Sequence, residues 1–161
     1  FSKTYAMTGW RLGYLIAPKS FTRPLQKLQQ NFFICPNAFV QWAGITALKK
    51  TGKEIKKMRE TYNKRRIFLL DKLKKLGFQV NSEPNGAFYI LANAKMFSNN
   101  SYEFALEILE NANVAVAPGI DFGSNAEGFI RFSYANSLDN IKIGCERLKI
   151  FLKNRERRGN K

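Results

Sequence analysis

The sequence predicts an α/β chain whose later, larger part is α+β: helices packed over one face of a small mixed or antiparallel sheet. Three observations predict it. Between Lys53 and Leu76 apolar residues recur three, four or seven positions apart, the spacing of one buried helix face. From Phe78 onward the texture changes to short apolar runs bounded by Gly, Pro and Asn, which are strand and turn signals. Helices and short strands then alternate to the end of the chain. With 161 residues, 45% of them hydrophobic and 14% aromatic, the chain has the material for a sizeable core and is not of disordered composition.

Taken in order, Lys3 lies between Ser2 and Thr4, a turn setting. Trp10 to Ile16 predicts an extended apolar strand closed by Pro18, with Arg11 inside it. Phe21, Leu25, Leu28 and Phe32 predict a helix over Phe21 to Phe33, with Ser20 as its N-cap and Pro24 within the first turn or so. Cys35-Pro36-Asn37 ends it, and Cys35 is expected to pack. Phe39 to Leu48 predicts a well-buried second helix whose Gly44 and alanines admit a close neighbour. The long helix of Lys53 to Leu76 carries Ile55, Met58, Tyr62, Leu69, Leu73 and Leu76 as its stripe, and Gly77 should stop it at C′. Lys64-Arg65-Arg66 is expected on a solvated face.

Phe78 to Val80 reads as a short strand, Pro84-Asn85-Gly86 as a turn and Ala87 to Leu91 as a strand. Ser101 should cap a helix to Asn111 that turns Phe104, Ala105, Ile108 and Leu109 inward. A strand over Val114 to Ala117 runs into Pro118-Gly119, and a glycine-rich loop, Gly123 to Gly128, precedes a strand over Phe129 to Tyr134. Side chains alternate there, so Phe129, Arg131 and Ser133 share one face and Ile130, Phe132 and Tyr134 the other. Ser137 caps the last helix, whose stripe is Ile141, Cys145, Leu148 and Leu152; the tail from Arg155 is expected to fray.

The net charge of +15 is uneven. Lys49 to Lys75 holds twelve basic and three acidic residues, and residues 76 to 141 hold two basic and seven acidic. Such helices invite an anionic partner, but no nucleic-acid motif or stacking platform accompanies them, so nucleic acid and membrane are not the expected partners. Histidine is absent, which removes His-based triads and His metal sites; the two cysteines have no paired spacing, so no metal site is expected. No run is long and apolar enough to span a bilayer, and a cytoplasmic setting is expected.

An arginine in an apolar strand needs an anion, which marks Arg11 and Arg131; from the residues alone, each could instead meet a carboxylate of the chain itself. A lysine beside an anion-loaded site is a candidate nucleophilic amine, which marks Lys3, eight residues before Arg11. The string SKTYAMTGWRLGY resembles the cofactor-lysine segment of the pyridoxal-phosphate-dependent class I/II aminotransferases of fold type I, aspartate-aminotransferase-like. FVQWAGITAL, EPNGAFYI and GFIRFSYANS resemble later segments of the same family.

That resemblance implies that Lys3 is the catalytic, Schiff-base-forming lysine, that Arg11 binds the cofactor phosphate and that Arg131 binds the substrate α-carboxylate. It implies a C-terminal portion of a longer polypeptide: residues 1–48 as the end of a large cofactor-binding domain, residues 49–161 as the small domain, and an interdomain helix over 53–76. It further implies pyridoxal 5'-phosphate as cofactor, an amino acid (aspartate-type) and a 2-oxo acid as substrates, and a homodimer. The isolated chain is expected to be inactive. A C–S lyase or decarboxylase of the same fold, and a non-catalytic basic remnant that binds anionic surfaces, stay open.

Overall fold

The computed structural model describes residues 1–159. The chain divides into two compact units, Phe1–Arg59 and a second that begins at Glu60. The division falls within one helix.

The first unit opens on a folded turn over residues 2–5 and a 3-10 turn at Thr8–Trp10. Residues 12–18 form no regular element and join no ladder, so the strand expected over Trp10 to Ile16 does not form. A strand needs a neighbour to receive its N–H and C=O groups, and among the described residues this segment has none; Tyr14, Leu15 and Ile16 are exposed. Helix α1 (Lys19–Phe32) starts two residues earlier than expected because Pro18, at φ −54° and ψ 147°, serves as N-cap. Ser20 is therefore inside the helix, and Pro24 lies beyond its first turn. Helix α2 (Ala38–Lys50) buries only Val40, Gly44 and Ala47; Phe39, Trp42, Ile45 and Leu48 are exposed, so it is covered on one narrow face and not well buried. Cys35 is exposed as well, contrary to expectation. This unit has almost no core of its own.

Helix α3 (Gly52–Lys75) begins in the first unit and ends in the second. Gly77, at φ +95°, closes it: Phe78 N–H donates to the Leu73 carbonyl at 3.1 Å and Gly77 N–H to the Lys74 carbonyl at 3.1 Å. That is the two-bond pattern of a Schellman end, with Phe78 and Leu73 both in the core. The basic cluster departs from expectation. Only Lys64 is exposed; Arg65 lies over the Tyr62 ring, and Arg66 is held by Glu83 at 2.7 Å and by Asn63.

The second unit is three antiparallel strands, β1 (Tyr89–Asn93), β2 (Ala117–Pro118) and β3 (Phe129–Ser133), in the order β1-β3-β2. Residues 78–80 contribute only an isolated bridge, Gln79 to Asn93. β2 is shorter than expected, pairing with β3 only at Ala117 and Pro118. Helices α4 (Ser101–Ala112) and α5 (Leu138–Gly159), with the end of α3, supply the apolar layer. Ile90 and Ala92 of β1, and Ile130 and Phe132 of β3, point into it with Leu73, Phe104 and Ile108. Leu109 is exposed; Ser101 and Ala112 share the buried face of α4 instead. Ser137 caps α5 through Asn140 N–H at 3.1 Å, and Ile141, Cys145, Leu148 and Leu152 are buried as the stripe requires. Among the described residues no helix is long and apolar enough to cross a membrane.

Candidate functional site

Lys3 and Arg11 belong to the first unit, on consecutive turns tied together through Thr8. The Thr8 hydroxyl donates to the Ser2 carbonyl at 3.1 Å, and the Thr8 carbonyl accepts from Arg11 Nη1 at 3.0 Å. Lys3 sits in the 2–5 turn as expected, its carbonyl accepting from Ala6 N–H at 3.3 Å. Its side chain is exposed.

Arg11 is also exposed, and it is not a strand residue. It adopts the left-handed conformation, φ 53° and ψ 39°, at the end of the 3-10 turn. Next to it Leu12 packs on α2 where Gly44 has no side chain; a Cβ there would overlap the Leu12 side chain. Trp10 meets Phe39 of α2 edge-on at 6.2 Å between ring centroids. Helix α2 thus fixes both neighbours of Arg11. One guanidinium N–H is spent on the Thr8 carbonyl, and a guanidinium carries five.

Arg131 belongs to the second unit, in the middle of β3 and on the face away from the core. Among the described residues it makes no salt bridge to a carboxylate. Its company is aromatic: Cζ lies 4.3 Å from the centre of the Tyr89 ring and 4.5 Å from that of Phe122. Tyr89 shares the outward face through the pairing of β1 with β3. Phe122 ends the 3-10 turn Gly119–Phe122 that follows β2. That turn is anchored from beneath. Ser101, 1% exposed, accepts the Ile120 N–H at 3.1 Å through its hydroxyl, while its own N–H donates to Glu127 at 2.6 Å. Gly119 approaches the backbone of Ala126 and Phe129 so closely that no side chain would fit. Sequence reasoning missed Tyr89 and Phe122. Strand alternation would have put Tyr89 on the side of Arg131; nothing local marks Phe122.

A sequence model of the family described as "Aminotransferase class I and II" matches residues 1–148. The chain belongs to the class I and II aminotransferases. It is 44% identical over 153 residues to the (5-formylfuran-3-yl)methyl phosphate transaminase of Methanocaldococcus jannaschii, covering 94% of this chain and 40% of that one. It superposes on the aromatic aminotransferase of Pyrococcus horikoshii with a TM-score of 0.92 at 37% identity, covering 96% of this chain and 42% of that one. On the aspartate aminotransferase of Thermus thermophilus with maleate the TM-score is 0.86 at 36% identity, with 92% and 39% covered. Its fold is that of the matching part of these fold type I aminotransferases, and the chain spans about 40% of the length of such relatives. Members of this class generally work with pyridoxal phosphate.

Proposed function

We propose that this chain is the C-terminal portion of a pyridoxal-phosphate-dependent aminotransferase that exchanges an amino group between an amino acid, with aspartate the first donor to test, and a 2-oxo acid. The observation that carries the reading is Arg131: a partly buried guanidinium on a strand, with no salt bridge to a carboxylate among the described residues, in a chain of this family. The donors present suit the cofactor. Lys3 offers an exposed amine for an aldehyde, and Arg11 offers guanidinium N–H groups for a phosphate.

When bound, pyridoxal phosphate supplies a carbonyl carbon for the amine and a conjugated ring that delocalises the electrons released at the substrate Cα. Lys3 Nζ would hold the cofactor, and its amine would carry the proton at the substrate Cα. Arg11 binds the phosphate. Arg131 binds the substrate carboxylate through its fork of N–H donors and so orients Cα.

In this reading residues 1–48 close a large cofactor domain, residues 49–161 form the small domain with the helix over 53–76 between them, and the enzyme is a cytoplasmic homodimer. The bare apolar faces of α1 and α2 support it. Phe32, Phe33 and Trp42 are each 72% exposed, and apolar patches of that kind are covered in a working protein. In the complete enzyme Lys3→Ala should abolish transfer between aspartate and 2-oxoglutarate; turnover within tenfold of the parent refutes the role of Lys3. The isolated chain should show no transfer, and borohydride should fix no pyridoxal phosphate on its Lys3.

A further inference from the structure

We infer that Tyr89 and Phe122 are positioning residues, two aromatic jaws that hold the Arg131 guanidinium in the orientation that receives a carboxylate; the inference rests on the reading of Arg131 as the carboxylate anchor. The rings reach Arg131 from the two flanks of β3. Tyr89 comes from β1, antiparallel on one side, and Phe122 from the turn that follows β2 on the other. Both ring centres lie within 4.5 Å of Cζ, well inside the range of a cation over an aromatic face.

The consequence follows from the shape of the group. A guanidinium is planar, and its five N–H donors lie in the plane, so a ring stacked on a face leaves the donor edge available. An unpaired arginine side chain is otherwise long and mobile, and ordering it on binding would weaken the ligand's hold. Here two rings already seat the guanidinium. The ring faces also offer no carboxylate or carbonyl oxygen that competes for the donors. A planar carboxylate is the ligand that matches a fork held edge-on.

The two jaws are not equivalent. Tyr89 is fixed by the ladder, whereas Phe122 is about half exposed on a turn held by Ser101 and Gly119. Phe122 thus forms an apolar wall beside the bound carboxylate and couples its seating to the α4 N-terminus.

The test follows the Arg131 Nε–H resonance in the complete enzyme, with maleate as the titrant. In the parent, ring currents should shift this signal upfield of other arginines, and maleate should perturb it to saturation. Phe122→Leu and Tyr89→Leu, which keep apolar bulk but remove a ring, should each move the signal downfield and weaken maleate about fivefold or more. Phe122→Tyr and Tyr89→Phe should keep both near the parental values. Parental maleate affinity in both Leu variants would overturn the jaws and leave Arg131 as anchor. An upfield signal in the parent that maleate does not perturb would overturn the anchor reading, and the jaws with it.

Discussion

Arg155 of α5 donates its Nε–H to both carboxylate oxygens of Glu107 on α4, each at 3.1 Å, and its guanidinium lies over the Phe104 ring with Cζ 5.4 Å from the ring centre. The last helix is therefore held past the point where its apolar stripe ends, and it stays helical to Gly159 instead of fraying from Arg155. The pair is about one-third exposed, so water screens it, and Glu107→Gln should cost about 0.5 kcal/mol. Arg155→Ala should cost more, about 1 kcal/mol, because the stem and the ring contact go with the charge. Urea melts of the two single variants and the double variant check both values; additive losses would show that the pair is not coupled.

Ser101→Ala tests the anchor beneath the Phe122 turn. The hydroxyl is buried and receives the Ile120 N–H, so its loss leaves that donor unpaired at a cost of about 1–3 kcal/mol. Hydrogen exchange should accelerate at Ile120 more than in the β1–β3 ladder. Uniform acceleration would show that Ser101 supports the whole unit and not this turn.

Glu127 carries a pH signature. The backbone N–H of Ser101, its hydroxyl and the Gly128 N–H hydrogen-bond its carboxylate and hold its pKa below the ordinary 4.5, with Lys95 adding to the effect. A carboxyl depressed in the folded state binds its proton more readily when unfolded, so its contribution is complete above the ordinary value. The contribution is lost as pH falls from that value through the lowered one. Glu127→Gln should flatten the acid limb of the stability profile while leaving its slope near neutral pH unchanged. An identical acid limb in the variant would remove Glu127 from the account.

Two backbone positions should respond with opposite signs. Gly77 needs its positive φ and faces Met96 and Phe97, so Gly77→Ala should destabilise by about 1–2 kcal/mol. Ala87 stands at φ 57° just before β1, where Phe88 O accepts from Tyr134 N–H at 2.9 Å and Ala87 O from the Tyr134 hydroxyl at 3.2 Å. Ala87→Gly relieves that strain and should stabilise by up to about 1 kcal/mol, less the extra freedom glycine gains on unfolding. Thermal melts of the two variants, moving in opposite directions, are the check.

Much of the molecule was legible residue by residue. The stripes of α3 and α5, the stop at Gly77, the cap at Ser137 and the outward face of Arg131 follow from side-chain spacing of 3.6 or 2 and from local caps. Those are interactions between residues a few positions apart, which a linear string displays. The motif around Lys3 and Arg11 was legible as a resemblance, and the family followed from it.

Partners distant in the chain were decided by the tertiary structure. Ser101 looked like the cap of α4, but burial turned its hydroxyl to Ile120, and Asn100 caps the helix instead, accepting Glu103 N–H at 3.1 Å. Trp10 to Ile16 had the composition of a strand, yet a ladder is made between segments and none lies beside it among the described residues. The aromatic seat of Arg131 joins residues 89, 122 and 131, and the Glu107–Arg155 pair spans two helices. Periodicity states which face a side chain takes; only the packed chain decides what meets it there.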